Sequence, residues 1–134
     1  PSEGWWRPRR RPDFGGRPRR ATRPLIDLGL TVQDPWTHER IAVERARVLR
    51  RLGRFGDAAD AWRHVAAGGG TRAVLAWIEV SKLREHRLAD PAGAFEAVRA
   101  GWQLADRNRR LGRPLPHLEA DLAERGRRLR RRLA

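Results

Sequence analysis

ARVLRRLGRFGDAADAWRHV, residues 46–65, reads as the end of one helix, a glycine stop, and a second helix that turns back on the first. Ala46, Leu49 and Leu52 stand at i, i+3 and i+6 and share one stripe. Gly53 follows where a helix ends with positive φ, a conformation that glycine adopts cheaply. From about Asp57 the second helix puts Ala58, Ala61, Trp62 and Val65 on one face. Small side chains let two axes come close, and Trp62 fills the gap beyond them as an anchor for the first three helices. Such a hairpin cannot bury its own apolar face, so it calls for neighbouring helices.

The flanking sequence supplies them. Asp34-Pro35 is a helix start, with Asp34 as N-cap and Pro35 at N1, where a missing N–H costs nothing. The first helix then runs from about Pro35 to Leu52 with Ile41, Ala42, Ala46, Leu49 and Leu52 inward. The second, about Gly56 to Ala67, stops at Gly68-Gly69-Gly70. Thr71 is placed to cap a third helix reaching about Leu88, with Val74, Trp77, Ile78, Ser81 and Glu85 along one side. Asp90-Pro91 starts a fourth, about Pro91 to Leu111, ended by Gly112. A fifth spans about Pro116 to Leu133, and Leu118, Leu122, Leu129 and Leu133 form its narrow seam. Residues 34–134 are therefore expected to form one helical domain.

Residues 1–33 have a different character. The first 24 hold five prolines, three glycines and no helical or strand periodicity, which predicts a disordered Arg/Pro-rich arm. Residues 25–33, LIDLGLTVQ, fit either an extended or a helical lead-in. The chain opens on Pro1 and contains no Met, as expected of a processed product or a piece of a longer chain. Trp5 and Trp6, beside Arg9, Arg10 and Arg11, could stack on unpaired bases while the arginines follow the phosphates. Gly16-Arg17-Pro18-Arg19-Arg20 resembles the core of an AT-hook, although Gly15 stands where that motif has Arg. The favoured account of these residues is a linker whose tryptophans pack on another domain.

Net charge is +14 and lies at the ends. Residues 1–24 carry +6 and residues 125–134 another +6, which leaves +2 for the hundred residues between. Cationic ends on a nearly neutral body predict contact with a polyanion, RNA or single-stranded DNA above all, through Arg127, Arg128, Arg131 and Arg132 as well as the arm. Against this stands coding bias: of 30 basic residues only Lys82 is not arginine. The arginine-rich last turns also suit a solvated helix C-terminus.

No constellation for catalysis is legible. Cysteine is absent, which excludes disulfides, thiolate zinc sites and cysteine nucleophiles and fits a cytoplasmic setting. His38, His64, His86 and His117 lack ligand spacing, so no metal or other cofactor is expected. The acids are scattered singly along helices, and Asp57 with Asp60 suits the dipole of a helix start. Gly68-Gly69-Gly70 has no following Lys-Ser/Thr, so it is a turn rather than a phosphate loop. No run approaches the ~18 apolar residues of a membrane span. The expectation is a protein that is not an enzyme.

An internal repeat organises the helices. Ala58 and Ala94 superimpose at a period of 36 residues, close to the ~34 of a tetratricopeptide repeat. Ala46, Leu49, Gly53, Phe55, Ala58 and Trp62 resemble that repeat's small, large and turn positions; in the second unit Ala94 and Val98 match, but Ser81 aligns only after an insertion. The fold class is thus all-α, with about five helices in tetratricopeptide-like antiparallel hairpins behind the arm. Ser81-Lys82-Leu83-Arg84-Glu85-His86-Arg87, followed by Asp90, Ala94 and the basic closing helix, also resembles the C-terminal tetratricopeptide-like region of YprB-type proteins. In that family a ribonuclease-H-like, DEDD-type exonuclease domain precedes the helices. The resemblance implies a non-catalytic accessory domain, binding nucleic acid or scaffolding the nuclease. The other reading is a peptide-binding adaptor, its protein partner held in a groove at Trp77, Ser81 and Glu85. Glu85 has a structural alternative as well, an ion pair with arginine from the fourth or fifth helix.

Overall fold

Two aspartate–proline pairs start helices as the sequence predicts. Asp34 accepts hydrogen bonds from the Trp36 amide at 3.2 Å and the Thr37 hydroxyl at 2.7 Å. The Thr37 bond first, then the Trp36 amide, hold its carboxyl below the usual carboxylate range. Asp90 accepts from the Gly93 amide at 2.9 Å. These caps belong to a computed structural model that describes residues 34–134. The arm positions Trp5, Trp6, Arg9, Arg10, Arg11, Arg17, Arg19 and Arg20 lie outside the described residues. Within those described there are five helices and no strand: α1 Pro35–Arg51, α2 Phe55–Ala67, α3 Ala73–His86, α4 Pro91–Arg110 and α5 Pro116–Leu133. Gly53, Gly69 and Gly112 follow α1, α2 and α4 with φ of 76°, 68° and 81°.

Each helix packs on its neighbours in sequence, and α3 touches α5 as well. One core cluster joins α1, α2 and α3, with Ala97 of α4, around Val43, Trp62 and Val80; another joins α3, α4 and α5 around Ile78, Val98 and Leu122. Trp62 is buried in the first, where Ala58, Ala61 and Val65 share its face. Helix α3 contributes to both clusters, through Ala76, Val80 and Leu83 on one side and Val74 and Ile78 on the other.

Four expectations are corrected. Ile41 and Leu52 are not inward: they are 54% and 65% exposed, and Val43 is buried instead. Among the described helices α1 packs against α2 alone, so only the stripe of Val43, Ala46 and Leu49 is covered. Thr71 does not cap α3, which begins at Ala73 and ends at His86, short of Leu88. Its hydroxyl donates to Glu39 of α1 at 2.8 Å, and the other oxygen of that carboxylate accepts the Arg72 amide at 2.9 Å. A carboxylate takes two donors and brings the negative charge that a helix N-terminus favours, so it displaces the neutral hydroxyl. Finally, the α5 seam is narrower than its leucines suggest. Leu122 and Leu129 are buried, Leu118 is partly so, and Leu133 is 43% exposed.

Candidate functional site

The α3 stripe that starts with Val74 and Ile78 continues through Ser81 and Glu85 at i+7 and i+11, so two polar residues follow two apolar ones into the interior. Ser81 is wholly buried, and its hydroxyl has no hydrogen-bond partner among the described residues. Trp77 is half-buried against the first core cluster. Glu85 meets Arg128 of α5, which donates from Nη2 at 2.5 Å and from Nε at 3.3 Å, one bond to each carboxylate oxygen. Arg132 stands 3.8 Å from the same carboxylate and His86 3.4 Å. Burial raises the pKa of Glu85, but the hydrogen bond and charge of Arg128, aided by His86 and Arg125, outweigh it and hold the carboxyl below its usual value. Glu85 thus ties α3 to α5.

The C-terminal arginines consequently divide into two groups. Arg128 and Arg132 turn toward Glu85. Arg127 is exposed and paired with Glu124 at 2.8 Å, a contact that holds the Glu124 carboxyl below its usual range through the hydrogen bond and then the charge. Arg130 and Arg131 are exposed and have no carboxylate within 4 Å among the described residues.

Arg127 and Arg130 overlook a groove of about 820 Å³ between α4 and α5. Close approach of the helices forms its floor. A Cβ at Gly101 would lie 3.0 Å from the Trp77 Cβ and 3.1 Å from the Leu122 Cδ2, so only glycine lets α4 sit against both neighbours without displacement. Val98 and Leu122 line the floor, Phe95 and Trp102 stand along the α4 wall, and Arg99 joins Arg127 and Arg130 at the rim. No Asp or Glu lines it. The Arg130 guanidinium lies over the Phe95 ring, 6.0 Å from its centroid. The arrangement combines apolar, ring-bearing surface with positive charge: Arg127 is paired with Glu124, while Arg99 and Arg130 have no carboxylate within 4 Å among the described residues.

Phe95, Arg99 and Trp102 were not among the site residues expected from sequence, and Arg130 stood out only as part of the arginine-rich last turns. Their signal is a shared face: Phe95, Arg99 and Trp102 fall at i, i+4 and i+7 on α4, and Arg127 and Arg130 at i and i+3 on α5. Reading it requires knowing that these two faces adjoin. Among the described residues no group of His, Asp and Glu could hold a metal ion, and no helix is long and apolar enough to cross a membrane. No family model, curated protein or solved structure matches the chain.

Proposed function

We propose that residues 34–134 form a non-catalytic, tetratricopeptide-like interaction domain that binds nucleic acid at the α4–α5 groove and along the exposed arginines of α5. In this reading it serves a YprB-type, ribonuclease-H-like exonuclease in the cytoplasm as an accessory domain. The groove carries the proposal: three arginines rim an apolar floor that no Asp or Glu lines. The repeat has support from Ala58 and Ala94, 36 residues apart and both wholly buried. The link to the nuclease family rests on the run from Ser81 to Arg87 and the basic closing helix. A peptide adaptor using Trp77, Ser81 and Glu85 has less support, because Ser81 is buried and Glu85 is held by Arg128.

Salt titration of oligonucleotide binding tests the assignment. Replacing Arg99, Arg127, Arg130 and Arg131 with Gln should flatten the slope of log K against log[salt] by about 3 units, from ~0.7 per phosphate contact on a single strand. The control replaces Arg45, Arg50, Arg51 and Arg63, which are exposed on α1 and α2 away from the groove. Equal losses in the two variants would mean that net charge alone governs binding, and the groove would lose its role.

A further inference from the structure

Arginines explain attraction to any polyanion, but they give no reason for rings beneath them. On α4 the order Phe95, Arg99, Trp102 sets ring, guanidinium and ring along one face, over about 10 Å of helix. Trp102 is 39% exposed, an open indole on an otherwise packed helix. Across from it α5 presents Ala123 and Gly126 to the groove, and a Cβ at Gly126 would stand only 3.5 Å from the Val98 Cγ1. The α5 wall is therefore low beside Val98, which it covers, and the Trp102 indole stands exposed along the opposite wall.

In a duplex the flat base faces are covered by their stacked neighbours, leaving phosphates and groove edges for a protein to touch. A strand with unpaired bases offers both phosphate and a bare π-face, and stacking on an aromatic side chain accepts every base. We propose that the groove selects single-stranded nucleic acid, stacking an unpaired base on Trp102 while Arg99, Arg127 and Arg130 hold the flanking phosphates. This rests on the nucleic-acid reading above and adds the residue that would recognise an unpaired base. At ~3.4 Å per stacked nucleotide the α4 face accommodates about three. Phe95 lies under the Arg130 guanidinium, 6.0 Å from it, so that ring is assigned to the guanidinium rather than to a base.

The test uses the full chain and a fluorescently labelled oligothymidine, alone and annealed to its complement, with binding read by anisotropy. Trp102→Ala should weaken single-strand binding about 5- to 140-fold and leave duplex binding unchanged, since one stacked base contributes that much. Trp102→Phe, which keeps a ring, should retain most of the single-strand affinity. Because Trp102 lies outside both core clusters, both variants should keep the parent's thermal melt. An equal loss on single strand and duplex, or no loss on the single strand, overturns the stacking assignment. Arginine-dependent binding would then persist and the proposed function would stand. If neither strand form binds in an arginine-dependent way and polyglutamate binds instead, the ligand is an acidic peptide and both proposals fall.

Discussion

Glu85 and Arg128 are unequal partners: the Glu85 side chain is 4% exposed and that of Arg128 39%. Removing one or the other should therefore have different consequences. Glu85→Gln leaves a guanidinium that water can reach, and should cost about 1 kcal/mol. Arg128→Met strands a buried anion, for which about 3 kcal/mol is expected, with Arg132 at 3.8 Å limiting the loss. Urea unfolding at neutral pH measures both, and the reverse order would contradict the burial described. The pH dependence carries a sign as well. In the parent protein the folded pKa of Glu85 lies below the usual glutamate value. Its stabilisation is thus complete above that value and disappears as pH falls through the lower, folded one. In Arg128→Met burial prevails, the folded pKa rises, and protonation relieves the stranded charge. The gap between variant and parent should narrow on acidification, and a constant gap would argue against an ionised Glu85 in the parent fold.

Among the elements, α3 depends on α1 for its start. The Glu39 carboxylate occupies the place where a Cβ on Gly70 would project, so the bare glycine is what lets it reach the Arg72 amide. Glu39→Ala should cost about 1 kcal/mol, the usual contribution of a cap. Gly70→Ala should cost a similar amount in the parent and much less once Glu39 is gone, giving a coupling of roughly 0.5–1 kcal/mol in a double-mutant cycle. Additive costs would mean that the cap and the glycine are independent. This cap also marks what sequence could and could not disclose. Asp34 and Asp90 cap the helices they precede, within three residues, and were legible from local chemistry. Glu39 lies 33 residues before the amide it caps, and nothing local distinguishes it from any other acid on α1. Ile41 and Leu52 misled for a related reason, because helical spacing gives candidate stripes without saying how many of them find a neighbour.

For the whole molecule, the decisive feature is the position of α3 between two core clusters. Neither cluster closes without it, since Ala76, Val80 and Leu83 belong to one and Val74 and Ile78 to the other. Residues 34–134 should accordingly unfold as a unit, with coincident transitions by far-UV circular dichroism and by tryptophan fluorescence. Two separated transitions would show that the clusters are independent. Helix number and order were legible because glycines and prolines punctuate the chain. The groove was not, because Trp102 and Arg130 acquire meaning only from the meeting of α4 and α5. Ser81 and Glu85, polar residues among apolar ones, were visible as anomalies; their burial and the partner of Glu85 required the fold.

The tie between Glu85 and Arg128 also has a place in time. Most other helix contacts join neighbours in sequence, so a chain emerging from the ribosome can assemble largely hairpin by hairpin. Glu85 must wait for a residue 43 positions later before its charge is answered. A chain that stops short of Arg128 has made all of α3 and still carries an unpaired acid on its inner face. Such a fragment, ending at Glu124 for instance, should be cut readily within α3 under limited proteolysis, whereas the full chain resists; equal resistance would mean that α3 is secure without α5. Helix α5 would then act as an inspection, in which the arrival of Arg128 separates chains that have made α5 from chains interrupted before it.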